Sequence, residues 1–220
     1  MRHFIFLKVI PYFIFSLFFI FTGCSLKYPI VEAPEVEAVS VKIEEEMRKT
    51  IVANALKYLN KKDGRDCSGF VSLINSKNGE PYYKISELSN FFTNDYRSKA
   101  IYNVVKAGAR ITKKEIPQIA DLIFFSDTLE KTKRNVGTTN ITHVGIVTKI
   151  DEDGTIHFIH HSRGKNIMGA MNEKYPEVAK LKDKNINTYM KKCDPKKPKQ
   201  ECLSPFFFTA YGGIEKNFKL

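Results

Sequence analysis

The sequence predicts an α+β domain in which helices come first and an antiparallel sheet follows. Three observations predict it. Apolar residues recur at helical spacing from Glu44 to about Lys106. After Pro117 the pattern changes to short runs rich in Ile, Val, Phe and Thr. Asp153-Gly154, a dipeptide suited to a two-residue hairpin, separates two of those runs.

Glu44–Leu59 reads as an amphipathic helix. Three glutamates open it, where the helix dipole favours negative charge, and Ile51, Ala55 and Leu59 recur at i, i+4. A polar turn with Asp63-Gly64 leads into a second helix, Cys67–Ser76, whose buried stripe is Phe70, Val71 and Ile74. Asn78-Gly79-Glu80-Pro81 stops it. Ser86–Thr93 and Ser98–Lys106 read as further short helices, the latter ended by Gly108. The strands are then 120–126, 143–150, 155–161 and 206–214, with 164–204 read as a lysine-rich, irregular insertion into the domain, which spans 44–220.

The N-terminus sets the address. Arg2 and Lys8 flank the apolar run Val9–Phe21, which as a helix would span about 20 Å, short of the roughly 30 Å hydrocarbon core of a bilayer. Residues 1–23 therefore read as a secretory signal rather than a membrane span. Phe21-Thr22-Gly23-Cys24 resembles the lipobox of bacterial lipoproteins, which implies lipidation of Cys24 and a membrane anchor; the alternative is an uncleaved anchor. Ser25 after the cysteine implies the outer membrane, facing the periplasm, in a Gram-negative host. Residues 24–43 carry Pro29, Pro34 and several glutamates and read as an extended acidic tether.

Hydrophobic residues at 43% and charged residues at 27% suffice to bury a core, which excludes wholesale disorder. With one long apolar run, multi-pass membrane proteins are excluded as well. The net charge of +11 fits nucleic acid, anionic lipid or an anionic extracellular polymer. The secretory address removes nucleic acid from that set. An anionic polymer such as peptidoglycan, whose stems carry carboxylates, is compatible; so is ordinary lysine-rich solubility.

Four cysteines are present: Cys24, Cys67, Cys193 and Cys202. Cys193 and Cys202 bracket a polar loop with two prolines and are expected to pair as a disulfide outside the cytoplasm. Zinc would need further ligands that the surrounding sequence lacks. Cys67 is then the free thiol, in Asp66-Cys67-Ser68-Gly69-Phe70, where a polar turn delivers it to a helix start. Unpaired N–H groups and the dipole there are expected to lower its pKa. A cysteine nucleophile also needs an imidazole base. His143 opens one strand and His160-His161 closes the next; across an Asp-Gly hairpin these are neighbours, so a histidine from each can meet. One would be the base for Cys67 and the other would hold its ring.

The blocks DCSGF, ADLIFF, THVGIV and FIHHS resemble, in that order, the signature blocks of the NlpC-type papain-like peptidases of the bacterial cell wall, over about residues 44–163. The resemblance implies a papain-like fold with Cys67 as nucleophile, His143 as base and His160 as the third residue. It also implies that Asp66 and Ser68 line the substrate pocket. His157 and His161 lie on the strand face opposite His160. His161 is the alternative third residue if a bulge shifts the register, and His157 reads as a solvent or structural histidine. Ala120 stands where the family has Gly, and the segment between Leu59 and Asp66 is shorter than usual, with Tyr58 the candidate for the family's cleft aromatic.

The expected activity is hydrolysis of an amide in peptidoglycan stem peptides, most often that between D-γ-glutamate and the diamino acid, through a Cys67 thioester. No cofactor or metal is called for. The same apparatus could instead cut the glycan–peptide amide or a cross-link, or the chain could be a catalytically silent, wall-binding or scaffold lipoprotein. A lipid-handling acyltransferase relative is a further, smaller alternative.

Overall fold

The computed structural model describes residues 34–93, 96–113, 116–129, 140–196 and 198–215. The signal segment 1–23, Cys24, the first part of the expected tether, and most of 127–141 lie outside the described residues. In chain order the helices are α1 Pro34–Leu56, α2 Cys67–Lys77, α3 Arg97–Ala107 and the single turn α4 Ser204–Phe207, with 3-10 turns at Ile85–Phe91 and Lys199–Cys202. The strands are β1 Ile111–Thr112, β2 Leu122–Ser126, β3 Ile141–Ile150, β4 Ile156–Ser162, β5 Lys165–Met171, β6 Lys180–Leu181, β7 Lys184–Asn185 and β8 Phe208–Gly212. The protein is thus a mixed α+β structure. Its six-stranded sheet runs in the order β1-β8-β2-β3-β4-β5, with every neighbouring pair antiparallel.

Two apolar layers flank the sheet, and strand alternation sorts residues between them. Leu122, Phe124, Val144, Ile146 and Ile159 face the helices and bury Ile51, Ala55, Phe70, Val71, Ile74, Ile101 and Val105. Ile123, Phe125, Val147, Phe158 and Tyr211 face the other way, against Phe207 and Met171. Because Phe125 pairs with His143, and Phe158 and His160 are two residues apart on β4, both histidines lie on this second face. His161, with Ile159, lies toward the helices.

Several boundaries differ from expectation; the expected helix Ser86–Thr93 is a 3-10 turn at Ile85–Phe91, and β3 starts at Ile141 instead of His143. The expected extended tether, 24–43, is helical from Pro34 onward. Proline fits the first position of a helix, whose amide is unpaired in any case. Glu35 and Glu37, which resembled a solvated linker, lie in this helix, and farther along it Glu44–Arg48 and Glu45–Lys49 close i, i+4 ion pairs at 2.9 and 2.8 Å. The same helix ends at Leu56 rather than Leu59, because Asn60 turns to left-handed backbone and donates its N–H to Asn166 O. Segment 164–204 is not irregular at its start. Lys165–Met171 pairs with β4 along its whole length, a strand hidden by its Asn, Gly and Met composition. Pro205 converts the start of the expected strand 206–214 into one helical turn.

Arg48 and Asp121 tie α1 to the sheet. The guanidinium meets Asp121 Oδ1 at 2.7 Å and Ile119 O at 2.9 Å, while Asp121 Oδ2 accepts the Gln118 N–H. Ala120, fully buried, has φ 69, a conformation glycine adopts without strain. This is the physical sense of the glycine that the resemblance called for there.

Candidate active site

The loop before Cys67 is built around two glycines. Gly64 has φ 92, and a Cβ on Gly69 would collide with the Gly64 carbonyl oxygen. The chain can therefore fold back tightly enough for Asp66 to cap α2. Asp66 Oδ1 accepts from Gly69 N and Ser68 Oγ, both at 2.7 Å. Burial opposes ionisation of Asp66, but these bonds and the nearby Arg97 outweigh it and hold the carboxyl below its usual range. Cys67 follows as the first residue of α2. The Asp66 side chain takes the Gly69 N–H, and the Cys67 N–H has no acceptor among the described residues. Cys67 is half-buried, and its Sγ lies 4.0 Å from Thr142 O, the residue before His143.

His143 Nε2 and His160 Nδ1 are 2.7 Å apart, with the ring planes 84° from one another. Phe125 and Phe158 pack against the pair. One of the two nitrogens must donate. If His143 does, its Nδ1 is left with a lone pair and His160 carries its proton on Nε2. His160 Nε2 is, among the described residues, the buried side-chain polar atom without a partner. His157, by contrast, is held away from the site at 2.6 Å from Asp151, whose carboxylate also binds Lys149 and Lys184.

His161 does something the sequence left unseen. Its Nδ1 lies 2.9 Å from Asn166 Oδ1, and Asn166 Nδ2 donates to two carbonyls, Tyr58 O at 3.1 Å and Asp63 O at 3.2 Å. Those donations fix the amide's orientation, so Oδ1 is the acceptor and His161 Nδ1 must carry the proton. Backbone bonds from Asn60 N to Asn166 O and from Asn166 N to Lys61 O, both 2.8 Å, complete the clamp. Asn166, fully buried on β5, thereby fastens the loop before Cys67 to the sheet. The signal for it was the Arg163-Gly164 turn, which announces a strand partner for β4.

Cys67, His143 and His161 open onto one cavity of about 420 Å³. Asp66 and Ser68 line it too. Its apolar walls are Tyr96, Leu129 and Met190. Tyr58, the candidate aromatic of the cleft, instead packs on the core and offers its carbonyl to Asn166. Tyr96 comes from the start of α3, Leu129 from the stretch after β2 and Met190 from the segment between β7 and β8.

The electrostatics correct one expectation. Burial pushes the Cys67 thiol up to about 11, outweighing the helix start and the Val144 N–H that favour the thiolate, while Asp66 adds to the rise. Burial, followed by the proximity of His161, lowers His143 to about 4. Burial likewise holds His160 well below the ordinary imidazole range. At neutral pH the site rests as thiol and neutral imidazoles, and no hydrogen bond joins Cys67 to His143.

Cys193 and Cys202 are joined by a disulfide. Met190 N donates to Cys202 O at 2.8 Å, which connects this bridge to the cavity wall. The chain matches no protein-family model, no curated protein and no solved structure.

Proposed function

We propose that this chain is a cysteine peptidase of the cell envelope that hydrolyses an amide in peptidoglycan stem peptides, at the D-γ-glutamyl–diamino acid bond, and is held to the membrane by a lipid on Cys24. A helix that starts at Cys67 and packs on an antiparallel sheet carrying His143 supports a papain-like reading. The observation that carries the reading is the shared cavity: a half-buried cysteine at a helix start opens onto the same space as His143, whose Nε2 is engaged by His160.

In this mechanism His143 donates Nε2–H to His160 and takes the Cys67 proton on Nδ1 as sulfur attacks the amide carbonyl. The Cys67 N–H, unused by the Asp66 cap, receives the oxyanion. Imidazolium then protonates the leaving amine, and water attacks the thioester to release the acid and regenerate the thiol. The charge that develops on His143 strengthens its bond to His160, so that contact contributes more in the transition state than at rest. Because thiol and imidazole rest neutral, proton transfer accompanies attack instead of preceding it. Asp66 and Ser68 line the substrate pocket.

The neutral thiol and the missing Cys67–His143 hydrogen bond favour a second reading, a wall-binding or scaffold lipoprotein of the same fold. Mass spectrometry of muropeptides incubated with the full chain and with Cys67→Ala separates the two. Cleavage by the wild type alone supports the peptidase, and the product masses distinguish a stem-peptide bond from a glycan–peptide amide or a cross-link. Equal cleavage by both proteins, or none by the wild type, sinks it.

A further inference from the structure

Five arginines lie among the described residues, and they divide by location. Arg48 and Arg110, away from the cavity, both have partners: Arg48 bonds Glu44, Asp121 and Ile119 O, and Arg110 Nη1 bonds Tyr82 O and Gly213 O. Arg65, Arg97 and Arg163 all line the cavity and are exposed. None of their guanidinium groups has an ion-pair or hydrogen-bond partner among the described residues. They come from three separate elements: the nucleophile loop, the start of α3 and the β4–β5 turn. Among the described residues Asp66 is the one acidic group lining the same space; its Oδ1 caps α2, and of the three arginines Arg97 acts on its charge, without an ion pair.

Two of these arginines also break a local rule. Arg65 has φ 66 beside Gly64, and Arg163 has φ 54 beside Gly164 at φ 77. Ser162 pairs with Lys165, so Arg163-Gly164 is a two-residue hairpin turn with both residues left-handed. Asn or Asp is favoured at the first position of such a turn, and arginine is a poor choice on backbone grounds. The same preference holds at residue 65. Left-handed backbone occurs elsewhere in the fold too, as at Lys182-Asp183, so it is the convergence of Arg65, Arg97 and Arg163 on one cavity that sets these arginines apart.

We propose that Arg65, Arg97 and Arg163 form a carboxylate-binding rim around the Cys67 cavity, which selects stem peptides whose carboxylates are free over those in which they are amidated. The inference rests on the peptidase reading for the identity of the peptide. A carboxylate accepts a bidentate, charge-assisted pair from a guanidinium, whereas a carboxamide is neutral and offers only one oxygen. The substrate class is therefore an acidic peptide with carboxylates near the scissile amide. Amidation of the stem would protect it.

The test is calorimetric titration of the full chain carrying Cys67→Ala with two probes. One is a stem tripeptide containing γ-D-glutamyl–diamino acid; the other is the same peptide with its carboxylates amidated. The carboxylate form is expected to bind about tenfold or more tightly, with a preference that shrinks as salt is raised. Arg65→Asn, Arg97→Gln and Arg163→Asn should each weaken that form by about tenfold and leave the amidated form unchanged. Thermal melting guards against misfolding: Arg65→Asn and Arg163→Asn should keep or raise Tm, since Asn suits left-handed backbone. Equal affinity for the two peptides, no binding of either, or variants that gain Tm without losing affinity would overturn the rim. Hydrolysis by wild-type protein is followed in parallel. Selective binding without hydrolysis keeps the rim and removes the peptidase reading; equal cleavage and equal binding of both peptides does the reverse.

Discussion

His143 Nε2 stands 2.7 Å from His160 Nδ1 on the adjacent strand, and the far nitrogen of His160 is buried without a partner. The pair can be neutral with the proton on either bridging nitrogen, and only one choice leaves His143 Nδ1 free to act as a base. Placing the proton so leaves an unpaired N–H in the protein interior, which costs about 1–3 kcal/mol.

That relationship predicts a graded series. His160→Ala should lower kcat about a hundredfold or more, because the imidazolium loses its acceptor. His160→Asn, whose amide oxygen can accept, should recover part of the loss. His161→Ala leaves the bridging pair intact and should cost less than roughly tenfold. Steady-state kinetics on one muropeptide measures all three; a larger loss for His161→Ala than for His160→Ala would reassign the third residue.

The thiol's pKa of about 11 predicts slow alkylation at neutral pH. The rate of iodoacetamide labelling at Cys67, followed by peptide mapping, should climb about tenfold per pH unit from pH 7 to 10. A plateau near neutrality would reveal a preformed thiolate.

Acid should destabilise the fold through the same cluster. His143 falls from 6.5 to about 4 on folding, and His160 falls well below 6.5, so the unfolded chain binds protons that the folded chain refuses. The full stability is present above pH 6.5 and is lost as the pH falls toward 4. For His143 alone the loss is on the order of 2–3 kcal/mol. Urea midpoints should drop over this window, and His160→Gln should flatten the drop.

Asn166→Ala should cost about 2–3 kcal/mol, since two carbonyls and one imidazole N–H lose a buried partner. Gly69→Ala should cost more than about 2 kcal/mol, because the Gly64 oxygen is backbone and cannot swing aside. Hydrogen exchange should accelerate at residues 60–67 in both, with the distant β1–β8 edge unaffected.

Much of this was legible locally. Asp63-Gly64 and Asp153-Gly154 announce turns, β-branched runs announce β3 and β4, and Phe158 alternates with His160 on one face, which separates the two adjacent histidines. The acidic opening of α1 misled because glutamates serve linkers and helix starts alike. β5 stayed hidden because its partner, not its composition, makes it a strand. The arginine rim joins residues 98 positions apart, and the thiol's rise comes from packing around sulfur. Neither is a property of any short stretch of chain.

β8 is the last of the described strands in chain order, yet it lies between β1 and β2. Until Phe208–Gly212 arrives, β1 has no partner and β2, which pairs with the strand bearing His143, has one edge bare. Assembly therefore waits on a contact that spans nearly a hundred residues, and a chain still emerging from its ribosome or translocation pore holds the pieces of the cleft without the frame that sets them. For a protein read as cutting its host's own wall, the strand order works as a timer: the frame of the cleft closes only once residues 208–212 are in place.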